Sequence, residues 1–247
     1  MRPSQSFYAS LAVLALTVAC GSGSNGTAAE GGDASEADGA TEADAAAGAA
    51  HVALTDAEFE LLKSPSDPAL NQSAPAVFNV RFKTTQGDVV IEAHRDWAPN
   101  GADRFYNLSK SGYFDGIKFF RVVKGFMAQF GIHGEPSVAK AWMNANIQDD
   151  PQGKSNKRGF VTYGTTGAPH SRATQMFINY GDNGFLDPQG FVPFGKVVEG
   201  MDVIDSLFSE YGEQTTSKQG SIMQEGNAFL DENYPKLDAI VTARVEE

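Results

Sequence analysis

Apolar and polar residues alternate in several short stretches of this chain. Phe78-Asn-Val-Arg-Phe82 places every second side chain on one face, as a half-buried strand does. Gln86-Gly-Asp88 supplies turn chemistry before Val89-Val-Ile-Glu-Ala93, so the two runs predict a hairpin. Further strands are predicted at Phe119 to Val123, Met127 to Ile132, Phe160 to Tyr163, Met176 to Asn179, Phe194 to Val198 and Ala239 to Arg244. The period changes to that of a helix where Ala98, Ala102, Phe105 and Leu108 recur, with Pro99 suited to a first turn and Gly112 to an end. A second helix is predicted from about Met201 to Ser209, with Met201, Ile204, Leu207 and Phe208 on one side. Many short strands with two helices favour a barrel or sandwich over a doubly wound sheet.

The stretch Phe119 to Gly131 carries Arg121 among β-branched and aromatic residues and then Phe126-Met-Ala-Gln129. Two readings are open from these residues alone. Either Arg121 points off the solvent face of a core strand, or Arg121, Phe126, Met127 and Gln129 turn towards one cleft. The second pairs a permanent cation and an amide with an apolar wall, which suits a neutral ligand carrying a polarisable carbonyl or amide.

The pattern is different at the N-terminus. An apolar run from Phe7 to Ala19 follows Arg2 and is too short to span a bilayer, so residues 1–19 read as a secretory signal. It ends Leu16-Thr-Val-Ala-Cys20-Gly21, which resembles a bacterial lipobox in which the cysteine is lipidated and becomes the mature N-terminus. The other reading is an ordinary cleaved signal beside an incidental cysteine. Cys20 is the sole cysteine, which excludes an intrachain disulfide. Gly21 to about Ala50 has no aromatic or large aliphatic residue and is expected to be disordered. Residues 20–75 are therefore expected to form a flexible acidic linker with a reach of about 40 Å, leaving 76–247 as the folded domain. Within that linker, Thr55 to Leu62 has the pattern of a short helix, and Gly21 to Gly26 matches G-x-G-x-x-G without the strand and helix that motif requires.

Charge narrows the class further. The 247-residue chain has a net charge of -12, which argues against nucleic-acid binding. Most of it lies in residues 21–75, where ten Asp and Glu face Lys63 alone, so the domain itself is only mildly acidic. His133 and His170, with Asp149 and Asp150 between them, lack the spacing of a metal-ligand set. His170-Ser171 lacks a nucleophile elbow. Trp142, in the glycine- and polar-rich connection 131–159, is either an anchor packed on the domain or a rim contact for a ligand.

Taken together, Phe120-Arg-Val-Val-Lys-Gly-Phe-Met-Ala-Gln129, Thr174-Gln-Met-Phe-Ile178, Phe185-Leu-Asp187 and Phe194-Gly-Lys-Val-Val-Glu-Gly-Met201 stand in the order and spacing of the cyclophilins. The resemblance to these peptidyl-prolyl cis-trans isomerases covers about residues 77–245. It implies a mainly β fold, a closed eight-stranded antiparallel barrel capped by two α-helices. It also implies that Arg121 is the catalytic arginine, that Phe126, Met127, Phe177 and Leu186 wall a proline pocket, and that Gln129 and Gln175 line the adjoining groove. Gly164 and Thr165 fall where the family holds substrate backbone. Phe185 stands in place of the usual pocket tryptophan, a change associated in the family with weak cyclosporin binding and retained activity. Phe191 falls nearest the position of the family's pocket histidine.

The residue types suit that chemistry. Rotation about a peptide bond is opposed by about 18–20 kcal/mol, because the nitrogen lone pair is delocalised into the carbonyl. In the twisted state the lone pair returns to nitrogen and accepts a hydrogen bond, which an arginine can donate selectively there. No nucleophile, metal or cofactor is required. The expected partners are proline-containing unfolded or nascent envelope proteins, with a membrane contact only through the lipid anchor, no nucleic acid, and a monomeric chain in the bacterial cell envelope. The alternatives are a binding module that grips proline segments without turnover, and an envelope chaperone.

Overall fold

The computed structural model describes residues 54–246. The expected signal, Cys20 and the part of the expected linker up to residue 53 lie outside the described residues. Eight antiparallel strands form one curled sheet in the order β3-β4-β6-β5-β7-β2-β1-β8. In chain order the strands are β1 (Val77–Thr84), β2 (Gly87–His94), β3 (Arg121–Val123), β4 (Met127–Phe130), β5 (Phe160–Tyr163), β6 (Met176–Asn179), β7 (Pro193–Glu199) and β8 (Ile240–Val245). The alternation in β1 buries Phe78, Val80, Phe82 and Thr84, and a tight turn pairs Thr84 with Gly87 to start the hairpin.

The sheet does not close through a continuous ladder. Its edge strands β3 and β8 are not paired with each other. The segment leading into β3 meets the start of β8 at a single bridge, Lys118 opposite Ala239. The closed barrel expected above is therefore corrected to a curled half-barrel, because β3 is only three residues long and β8 pairs along its length with β1.

The expectation of two helices is also corrected. Among the described residues there are α1 (Asp56–Leu62), α2 (Pro99–Lys110), α3 (Pro136–Trp142), α4 (Met201–Ser206), α5 (Gln219–Glu225) and α6 (Asn227–Asn233). Helix α1 is the short helix expected at Thr55 to Leu62, whereas α3, α5 and α6 are seven residues each, too short to show a helical period and too short to be stable alone, so burial of residues such as Trp142, Ile222 and Leu230 holds them. Helix α2 has no capping side chain of its own. Asp150, reaching across from the 131–159 connection, accepts the Asn100 and Gly101 N–H groups at 2.9 Å each and pairs with the buried Arg172 at 3.0 Å.

Residues 54–76, assigned above to the linker by their composition, are folded onto the domain. Thr55 and Glu58 form a capping box for α1, and Leu62 and Leu70 are fully buried in the main core. The Trp142 indole donates to the Leu62 carbonyl at 2.7 Å, so Trp142 is an anchor within the fold. That core fills the space between the sheet and α2, where Phe82, Phe105, Phe114 and Phe130 meet edge to face or tilted. A second, smaller core of Phe120, Ile132, Ala139, Ile222, Leu230 and Tyr234 supports α3, α5 and α6.

Candidate active site

Strands β3 and β4 form a short hairpin whose register sets Arg121 opposite Gln129 and Val123 opposite Met127. Strand β6 continues the sheet, with Gln129 opposite Phe177. Two adjoining surfaces result, one polar and one apolar.

The apolar surface is a cluster of Met127, Phe177 and Leu186, all buried, with Val123, Phe126 and Phe191 packed around them. It stands apart from the main core, so its burial is mutual. Phe191 meets the Phe177 ring edge-on with centroids 5.8 Å apart. Phe185 is about half exposed and stacks on Phe126 at 6.1 Å. Leu186 and Phe185 come from a 3-10 turn spanning Gly184–Gln189, and Gly190 ends it with a left-handed backbone.

The polar surface is a chain of hydrogen bonds. The guanidinium of Arg121, 7% exposed, donates from Nε and Nη2 to the two carboxylate oxygens of Glu213 at 2.8 and 2.7 Å. Its Nη1 donates to Gln129 Oε1 at 3.1 Å, and Gln129 Nε2 donates to Gln175 Oε1 at 2.9 Å. The cation also lies 5.8 Å from the centroid of the Phe126 ring, so it borders the apolar cluster. Partial burial works to raise the Glu213 carboxyl, but hydrogen bonds from Arg121 and Thr216 together with the guanidinium charge outweigh it and hold the group below the usual carboxylate range.

Gly164 lies beside this chain: its N–H donates to the Gln175 carbonyl at 2.9 Å, and a side chain built there would come within 3.8 Å of Gln129 Nε2. Thr165 begins the following loop, and its hydroxyl is engaged within that loop by Ser171 at 2.7 Å and by the Gly167 N–H at 3.1 Å. The structure thus brings Arg121, Phe126, Met127, Gln129, Gly164, Gln175, Phe177, Leu186 and Phe191 to one place, with Phe185 at its outer edge. Thr165 sits next to it with its hydroxyl already spent.

Three further residues shape the site without a signal in the local sequence. Glu213 is one. Asn156, fully buried, donates from Nδ2 to Asp187 at 2.7 Å and to the Phe191 carbonyl at 2.8 Å, tying the 184–191 lip to the sheet. Asn183 donates to the Phe126 carbonyl at 2.9 Å and to Asn179 at 2.8 Å. Each of the three has a partner distant in sequence: Arg121, Phe191 and Phe126 respectively. His133 and His170 lie in separate surroundings, the first buried against the Tyr113 ring and the second exposed beside Asp149. Among the described residues no group of three His, Cys, Asp or Glu side chains is placed to hold a metal ion.

A cation bordering an apolar pocket, with an amide groove alongside, has counterparts in known proteins. Residues 79–233 match the family model for cyclophilin type peptidyl-prolyl cis-trans isomerases. The chain is 32% identical over 170 residues to peptidyl-prolyl cis-trans isomerase B of Escherichia coli K12, covering 66% of this chain and 95% of that one. It is 36% identical over 141 residues to a peptidyl-prolyl cis-trans isomerase of Acinetobacter baylyi, covering 55% and 75% respectively. The crystal structure of a cyclophilin type isomerase from Cryptosporidium parvum superposes with a TM-score of 0.51 over 69% of this chain and 98% of that one, at 21% identity, which speaks to the fold. By its family match and its bacterial relatives, the chain belongs to the cyclophilin-type peptidyl-prolyl cis-trans isomerases.

Proposed function

We propose that the groove isomerises X-Pro bonds by twisting the amide against Arg121 while the proline ring rests on Met127, Phe177 and Leu186. The observation that carries this reading is the juxtaposition of a nearly buried guanidinium with a separate apolar cluster facing Phe126 and Phe191. Three of the five guanidinium N–H groups are engaged by Glu213 and Gln129, which leaves one proton on each terminal nitrogen for substrate. Such a proton meets no acceptor on the nitrogen of a planar amide and meets a lone pair on a twisted one. The interaction therefore belongs to the transition state.

Where the family has a histidine, Phe191 supplies an aromatic wall in its place. The pocket keeps its apolar lining and loses one polar contact, while the arginine chemistry is unaffected. A charge-assisted hydrogen bond worth roughly 1.5–3 kcal/mol predicts that Arg121→Ala loses about tenfold to 150-fold in kcat/KM. Arg121→Lys should recover little of it, because the ammonium lacks the planar fork. A protease-coupled assay on a proline-containing peptide tests this. A chain that binds such peptides without accelerating their isomerisation would instead be a binding module.

The substrates on this reading are proline-containing envelope or secreted proteins, met by a monomeric enzyme tethered through lipidated Cys20. The support is the sequence from Phe7 to Gly21 and the acidic stretch that follows it. Labelling with a fatty acid analogue should depend on Cys20, and undiminished label in Cys20→Ser removes the anchor from the proposal.

A further inference from the structure

The carboxylate that meets Arg121 arrives from far along the chain. Glu213 is 92 residues away and lies in the segment between α4 and α5. That segment is itself held. Tyr211 packs edge-on against Tyr234 at 5.1 Å and Phe208 at 4.9 Å, and Thr215 is fully buried. The Thr216 hydroxyl donates to Glu213 Oε2 at 2.6 Å, and the Thr216 N–H donates to the Glu213 carbonyl at 3.0 Å. The side chain of Glu213 is 55% exposed, whereas that of Arg121 is 8% exposed. A turn anchored on the second core thus delivers one acid, from the solvent side, to a cation that is nearly buried.

Two consequences are conceivable for such a contact: it withholds the arginine from substrate, or it aims it. The donor count separates them. Glu213 takes the side of the fork formed by Nε and one proton of Nη2, and Gln129 takes one proton of Nη1. Both terminal nitrogens retain a proton, and the one left on Nη2 points off the end of the fork, away from the carboxylate. A side chain with four rotatable torsions is thereby held at two edges while its outer end stays available. The carboxylate also supplies the counter-charge that a desolvated guanidinium needs.

We infer that Glu213 is a positioning residue for the isomerase reaction, gripping the Nε edge of Arg121 so that the terminal N–H groups are aimed at the twisting amide. This rests on the reading of Arg121 given above. Because a misaimed donor is lost mainly in the transition state, Glu213→Ala in the full-length chain should lower kcat by about tenfold or more while changing KM less than twofold. Glu213→Gln keeps one acceptor oxygen and should fall between the two. In an Arg121→Ala background, Glu213→Ala should add no further loss, since it acts only through the arginine. The 15Nε–1Hε cross-peak of Arg121 should be shifted downfield in the parent chain and should move towards the free-guanidinium position or broaden by solvent exchange in Glu213→Ala.

Urea midpoints of both Glu213 variants separate a folding defect from a catalytic one. A rate loss in Glu213→Gln that accompanies an unchanged midpoint supports positioning. If Arg121→Ala lowers the rate but Glu213→Ala leaves it unchanged or raises it, Glu213 does not aim the arginine, and a rise makes it an occluding group. Additional loss from Glu213→Ala without Arg121 also overturns the inference. If Arg121→Ala leaves the rate unchanged, it is the arginine reading itself that fails.

Discussion

Asn156 offers a sharp test of how the pocket lip is built. Its side chain is fully buried and makes three short hydrogen bonds: Nδ2 to Asp187 at 2.7 Å, Nδ2 to the Phe191 carbonyl at 2.8 Å, and Oδ1 from the Thr162 hydroxyl at 2.7 Å. Asn156→Ala removes all three. The bond to a carboxylate is worth about 1.5–3 kcal/mol and each of the others about 1 kcal/mol. Asp187 is half-buried and keeps the Asn156 main-chain N–H at 3.0 Å, so the lower end applies to it. The expected cost is about 3.5 kcal/mol, or a fall in melting temperature of about 7–14 °C for a domain of this size. Because Phe191 and Leu186 ride on the released lip, KM for a proline peptide should rise several-fold, with kcat changing less since Arg121 is untouched. Urea unfolding and a substrate titration in the protease-coupled assay measure the two quantities. A cost below about 1 kcal/mol with an unchanged KM would refute the idea that Asn156 holds the lip.

Other perturbations follow from single positions. Burial holds the His133 imidazole down to about 4, against an ordinary value of 6.5. The unfolded chain therefore takes up this proton first as pH falls. The stability His133 contributes is whole above about 6.5 and is lost towards 4, by up to roughly 3 kcal/mol, and in urea titrations at pH 7 and pH 5 wild type should lose more than His133→Asn. Gly131 has a φ of +104°, and a Cβ there would lie 2.2 Å from the Thr174 carbonyl oxygen. Gly131→Ala should force β4 from β6 and cost more than about 2 kcal/mol by chemical denaturation. Trp142→Phe leaves the Leu62 carbonyl without its indole donor, so it should cost about 1 kcal/mol and hasten tryptic cleavage after Lys63.

Much of the site was legible because its residues lie on strands whose period is local. The hairpin of β3 and β4 sets Arg121 opposite Gln129, and the resemblance to the cyclophilins brings Phe119–Gly131 together with Thr174–Ile178, which the structure pairs through β4 and β6. Phe191 is named through the same resemblance, as the residue nearest the position of the family's pocket histidine. What the pattern could not show was which reading of Arg121 applies, an outer face or a cleft. Its 7% exposure and its bidentate partner answer that.

Local periodicity and turn residues by themselves determined the eight strands and helix α2, because one-sided burial imposes a period that nearby residues must share, while the apolar wall was named through the resemblance of its motifs to the cyclophilins. The tertiary structure alone decided the rest. It folded residues 54–76 onto the domain through Leu62, Leu70 and Trp142, left β3 and β8 unpaired with only the segments before them bridged at Lys118 and Ala239, and built α3, α5 and α6 from segments too short to carry a helical period. It also set Glu213 against Arg121 and Asn156 beneath Phe191, contacts between residues 92 and 35 positions apart. A polar residue of this kind has no period to betray it. Its role depends on which buried donor or acceptor the closed chain brings within about 3 Å, and that is settled only once the core has packed.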